Sequence, residues 1–185
     1  MTDANQPPES DEIECVITFL EMTARPKGPF APLPMNAPVS LMRAVTPPLR
    51  WFFHLYDGVG AGHDWTDRHQ DDPAEVLAFL HDPDVSLFTL MHDGWTGGFF
   101  MLDHRVRGVC DLAYFGLAPE LLGRGYGKWL LGEAIQTGWD REGTTRMSVN
   151  TCTLDHARAL PLYQRMGFSP VRRVVERRKR PGPAA

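Results

Sequence analysis

Residues 122–128 read Leu-Gly-Arg-Gly-Tyr-Gly-Lys, three glycines at alternate positions between an apolar run ending at Leu117 and a helical pattern starting near Trp129. Glycines at such a junction let the backbone turn its N–H groups toward one point with no Cβ in the way. The helix that follows adds partial positive charge at its N-terminus, so the place suits a phosphate or pyrophosphate. Two familiar nucleotide loops do not fit. A P-loop needs Gly at 122 and a hydroxyl at 129, where the chain has Leu122 and Trp129. The dinucleotide fingerprint needs Gly at 128 or 130, occupied by Lys128 and Leu130, and a place after the first strand.

Hydrophobic periodicity orders the rest. Residues 12–22 and 39–45 read as strands, separated by a segment with Pro26, Pro29, Pro32, Pro34 and Pro38 that excludes helix and central strand. A helix starts at Pro47-Pro48 and stops at Gly58; residues 60–72 are loop or short helix; 73–82 form an amphipathic helix. Residues 85–105 read as two strands turning at His92-Asp93-Gly94, and 106–117 as another apolar run. Then come a helix over 122–143, a strand over 146–154, a helix over 155–168 closed by Gly167, and a last strand over 170–178. The expected fold is α/β (α+β): one domain over 1–185, a mixed, mostly antiparallel sheet flanked by helices, with 1–11 and 179–185 flexible.

Composition narrows the function classes. No apolar run approaches the roughly 18 residues of a membrane span, and MTDANQPPES does not pattern as a secretory signal. Cys15, Cys110 and Cys152 are odd in number and far apart, which suits a reducing compartment; the expected location is cytoplasmic. Residues 1–23 hold six acids and no base, whereas 171–185 hold six bases and one acid. A basic end of that kind is read either as a contact for an anionic polymer or as a solvated last strand facing the acidic N-terminus. No aromatic-interleaved basic stripe marks the domain for nucleic acid. Free edge strands leave room for a homodimer.

The segment Leu117-Ala118-Pro119-Glu120-Leu121-Leu122-Gly123-Arg124-Gly125-Tyr126-Gly127 resembles the acyl-CoA loop of the GNAT superfamily of N-acyltransferases, written Q/R-x-x-G-x-G/A, with Leu122 departing at the first position. A second stretch, His156-Ala157-Arg158-Ala159-Leu160-Pro161-Leu162-Tyr163-Gln164-Arg165-Met166-Gly167-Phe168, resembles that family's N-x-x-A-x-x-L-Y-x-x-x-G-F helix, with His156 in place of Asn. The resemblance covers about residues 85–170. It implies an N-acetyltransferase using acetyl-CoA as acyl donor and no metal, with a small-molecule or peptide amine as acceptor.

The resemblance also assigns sites. It places the pyrophosphate on Leu122, Gly123, Arg124, Gly125, Tyr126, Gly127 and Lys128, with His156 nearby. Leu117 would offer its backbone to the thioester and pantetheine. Tyr163 stands where many members place the acid that protonates the CoA sulfur; the alternative is a tyrosine that only packs. Asp111, an acid inside an apolar strand, stands where histone-type members carry a general base, and desolvation would raise its pKa. His54, His63 and water are the other candidates for the base. Asn150 either holds pantetheine or substrate or marks a bulge. Trp51, Tyr56 and Trp65 either wall an acceptor site suited to a cationic amine or are core. His54, His63 and His69 show no metal-ligand spacing. A non-catalytic CoA-binding module and a basic-tail scaffold remain alternatives.

Overall fold

The turn expected at His92-Asp93-Gly94 forms, with Asp93 and Gly94 at φ of 48° and 86°, the left-handed pair that a two-residue hairpin requires. It joins β3 (Val85–His92) to β4 (Trp95–Asp103) in a seven-stranded sheet. The computed structural model describes residues 12–60, 62–63 and 65–179. The other strands are β1 (Glu12–Met22), β2 (Val39–Ala44), β5 (Val109–Leu117), β6 (Arg146–Cys152) and β7 (Ser169–Lys179). Their order is β2-β3-β4-β5-β6-β1-β7. Only β5 and β6 run parallel; the other neighbours are antiparallel. The single mixed-sheet α/β domain expected from the sequence is what the chain forms.

Helices cover both faces. α1 (Leu49–Gly60) and α2 (Pro73–Leu80) pack Phe52, Leu55 and Val76 with Leu87, Phe99 and Met101. α3 (Tyr126–Asp140) and α4 (Ala159–Arg165) pack Leu130, Ile135 and Tyr163 with Phe100, Leu112 and Val149 on the opposite face. Between these layers β4 is buried without interruption from Gly97 to Leu102, as a strand covered on both faces must be.

Several boundaries move. α1 runs through Gly58 to Gly60, where the chain turns so tightly that an added Cβ would meet the Trp65 Cβ at 2.4 Å. Among the described residues of 60–72 one short 3-10 turn forms, Asp67–His69. The helix expected over 155–168 forms only from Ala159, because Asp155 spends its carboxylate on the preceding turn, accepting from Thr151 Oγ1 at 2.7 Å and the Cys152 N–H at 2.8 Å. Likewise α3 begins at Tyr126, after the glycine turn and a 3-10 turn over Pro119–Leu121.

The charge asymmetry becomes a strand pairing. β7 lies antiparallel on β1, with Glu14 opposite Arg177 and Phe19 opposite Arg172. The Arg172 guanidinium sits 4.1 Å from the Phe19 ring centre. Of the ends expected to be flexible, Lys179 closes β7, and residues 1–11 and 180–185 lie outside the described residues. Among the described residues, no helix is long and apolar enough to cross a membrane.

Candidate active site

A bulge opens the sheet. In the pairing of β4 with β5, Met101 faces Tyr114 and Leu102 faces Leu112, leaving Ala113 extra. Such an insertion bends and twists its strand. Beyond it β5 leaves its parallel neighbour: β5 and β6 pair only at Val109–Arg146, Cys110–Met147 and Asp111–Ser148. The remainder of both strands lines a cavity of about 740 Å³ that passes between them. The Ala118 N–H donates to the Gly97 carbonyl at 2.9 Å on the β4 side. Since successive residues of a strand alternate their N–H directions, Leu117 turns its N–H and C=O toward the gap.

The two expected proton carriers lie on opposite faces of the sheet. Asp111 lies on the α1–α2 side, where Ser148 Oγ donates to its Oδ1 at 2.6 Å. Burial raises its pKa, the Ser148 hydrogen bond opposes that shift, and the nearby Asp103 charge adds to it. Tyr163 lies on the α3–α4 side, its ring 6.1 Å from Phe115 and 6.0 Å from Phe168. Burial, reinforced by the Asp155 charge, pushes its pKa well above the ordinary phenol value. Tyr163 therefore stays neutral as an O–H donor, and full release of its proton is less favourable than for a free phenol. Both side chains line the same cavity.

At one end the cavity is lined by Leu122, Gly123, Gly125, Gly127 and Lys128. Gly123 and Gly125 take φ of 78° and 87°, and Gly125 is the N-cap of α3. No side chain caps that helix and its first turn holds no acid, so its N–H groups and positive dipole end are left for an anion. Arg124 is exposed and Tyr126 is buried with its ring 5.6 Å from His92; neither lines the cavity. His156 lines it, with Nδ1 accepting from the Arg158 N–H at 3.1 Å and its ring 6.0 Å from His63.

The other end lies under α1 and α2. Tyr56 and Trp65 line it, whereas the Trp51 ring lies tilted against His54, centroids 5.8 Å apart, away from the cavity. Trp65 spans the gap: it touches the β5 ring of Tyr114 and donates from Nε1 to Asp155 Oδ1 at 3.3 Å on the β6 side. Burial pushes the Tyr56 phenol up to about 12. Arg68, Arg105 and Arg178 pair with Asp71, Asp103 and Asp67. Asp111 has no cation partner among the described residues. Asn150, exposed on β6, shares the face of Ser148 and belongs to the lining. His54 lies off the cavity, hydrogen-bonded to Thr96 Oγ1 at 3.1 Å.

Sequence reading missed Ser148, Asp155 and Arg68. Ser148 could have been found two residues before Asn150 on the same strand face. Arg68, which donates to the Tyr114 hydroxyl and packs 5.2 Å from the Phe79 ring, left no signal, because its place depends on how residues 60–72 fold. Among the described residues no three His, Cys, Asp or Glu side chains group to hold a metal.

The model of the acetyltransferase (GNAT) family matches residues 47–168. No curated protein matches. Similar solved structures include a GCN5-related N-acetyltransferase from Kribbella flavida, 17% identical with a TM-score of 0.54 over 88% of this chain and 56% of that one. A tandem GNAT protein from the clavulanic acid biosynthesis pathway is 14% identical, with a TM-score of 0.61 over 92% and 55%. An aminoglycoside acetyltransferase from an uncultured soil metagenomic sample is 16% identical, with a TM-score of 0.55 over 70% and 90%. The chain spans little more than half the length of the first two. At these identities the likeness is one of fold.

Proposed function

The chain belongs to the acetyltransferase (GNAT) family, and from that premise we propose that it transfers the acetyl group of acetyl-CoA to a primary amine by direct attack on the thioester. The observation that carries this reading is the opening between β5 and β6, with Asp111 on one face and Tyr163 on the other. A donor whose pyrophosphate rests on residues 122–128 threads its pantetheine along Leu117 and Asn150 and brings its thioester to the gap from the α3–α4 side. The amine enters from the α1–α2 side. Asp111, directly or through water, takes the ammonium proton. The freed nitrogen forms the N–C bond, with the Leu117 N–H opposite the developing oxyanion. The C–S bond then breaks, the leaving sulfur takes the proton of the Tyr163 hydroxyl, and the extra proton still carried by the new amide nitrogen returns to the Tyr163 oxygen.

An uncompensated carboxylate among aromatic rings favours a cationic acceptor. Small polyamines and aminoglycosides are therefore the first amines to screen, followed by amino acids and peptides. The three free cysteines fit action in the cytoplasm. Calorimetric titration with acetyl-CoA and CoA, beside ATP and NAD, tests the donor. Micromolar binding of the CoA ligands alone, abolished by Gly125→Val, supports the reading; no binding at millimolar concentration overturns it. Turnover in the amine screen then separates an enzyme from a CoA-binding module.

A further inference from the structure

A second cleft of about 220 Å³ lies behind the glycine loop, formed by residues 26–31 of the proline-rich segment together with Lys128 of α3 and Arg165 and Met166 of α4. Lys128 and Arg165 also line the main cavity, so the two spaces adjoin. The segment is seated rather than loose. Phe30 presses on α3 where the helix has Gly132, so closely that an added Cβ there would lie 2.9 Å from the Phe30 Cβ. Pro34 stands 3.7 Å from where a Cβ on Gly125 would be. This docking brings Lys27 to the cleft that Lys128 and Arg165 already line.

Six arginines of the described residues have an acid in reach, among them Arg25 with Asp140, Arg141 with Asp84 and Arg146 with Glu21. Lys27, Lys128 and Arg165 have none among the described residues. Three uncompensated cations around one small concavity repel one another, and a multiply charged anion relieves that. Resting on the cofactor reading above, we propose that this cleft receives the 3′-phosphate of the CoA nucleotide, with Lys27 of the proline-rich segment supplying a contact. A CoA molecule whose pyrophosphate lies on residues 122–128 must leave its ribose 3′-phosphate just beyond the loop. The cleft beside Lys128 is where a phosphate monoester there meets charge of the opposite sign.

The test is calorimetric titration of the full chain, wild type and Lys27→Ala, with CoA and with 3′-dephospho-CoA. Lys27 is exposed, and unchanged thermal unfolding of the variant checks that the fold is kept. The wild type is expected to bind CoA about tenfold more tightly than 3′-dephospho-CoA. Lys27→Ala should reduce that ratio to about threefold or less while leaving the affinity for 3′-dephospho-CoA unchanged, and raising salt should shrink the wild-type ratio. Equal wild-type affinities would overturn this inference and leave the cofactor reading standing. A preference that survives intact in Lys27→Ala would also overturn it, by placing the phosphate elsewhere. Binding of neither ligand would overturn the cofactor reading and this inference together.

Discussion

Ser148 Oγ donates a 2.6 Å hydrogen bond to Asp111 at the last rung where β5 and β6 still run side by side. The bond therefore sits at the apex of the opening, and it stabilises the charged form of a carboxylate whose surroundings favour the neutral one. In Ser148→Ala the Asp111 pKa rises further. The acid limb of the kcat/KM profile is expected to move to higher pH, with activity near neutrality down by about tenfold. The measurement is that profile, wild type against variant; a limb that does not move would remove Asp111 as the base.

Asp111→Asn is expected to lower kcat by about 10²-fold or more and yet to stabilise the protein near neutral pH. An acid whose pKa is higher in the folded state weakens the fold as it ionises. That penalty is absent below its ordinary value of 3.8 and grows as pH rises toward the folded-state value. The asparagine removes it while still accepting from Ser148. Thermal unfolding should show the variant ahead at pH 7, by about 2–4 °C for each kcal/mol relieved, and level with the wild type at pH 3.

Tyr163→Phe keeps the ring between Phe115 and Phe168 and removes only the hydroxyl. Steady-state kinetics should show kcat reduced by about 10²-fold with the KM for acetyl-CoA little changed. The high pKa of this phenol makes the lower part of the usual range for acid catalysis the fitting expectation. Unaltered kcat would leave Tyr163 as packing.

Gly116→Ala places a methyl 2.2 Å from Val59 Cγ1, between β5 and α1. A cost of about 1–3 kcal/mol is expected. Adding Val59→Ala should recover part of it, so denaturant unfolding of the two single variants and the pair should show coupling.

Truncation after Pro170 removes β7 and unpairs β1 along one side. Loss of cooperative unfolding is expected, measured by circular dichroism on heating. Were the basic end only a handle for anionic polymers, the shortened chain would unfold as the full one does.

Local signals account for the parts of the protein that the sequence determined by itself. Asp93-Gly94 dictates a tight hairpin because those two residues tolerate positive φ, and alternate glycines over 123–127 dictate a loop free of Cβ atoms at a helix start. The family motifs around Leu117 and Tyr163 lie in short contiguous stretches, so they too could be read directly.

Tertiary structure decided what depends on residues far apart in the chain. Whether Asp111 faced solvent or a cavity could not be read from its strand, because the answer rests on a bulge at Ala113 and on Ser148, thirty-seven residues away. The basic end became a strand laid on β1 only because pairing is set by long-range register. Trp51 and Trp65 looked equivalent as aromatics. Only the turn after Gly60, which brings Trp65 across the gap to Asp155, separated the one at the site from the one beside His54. Periodicity reports which face of an element is buried, and not what that face is buried against.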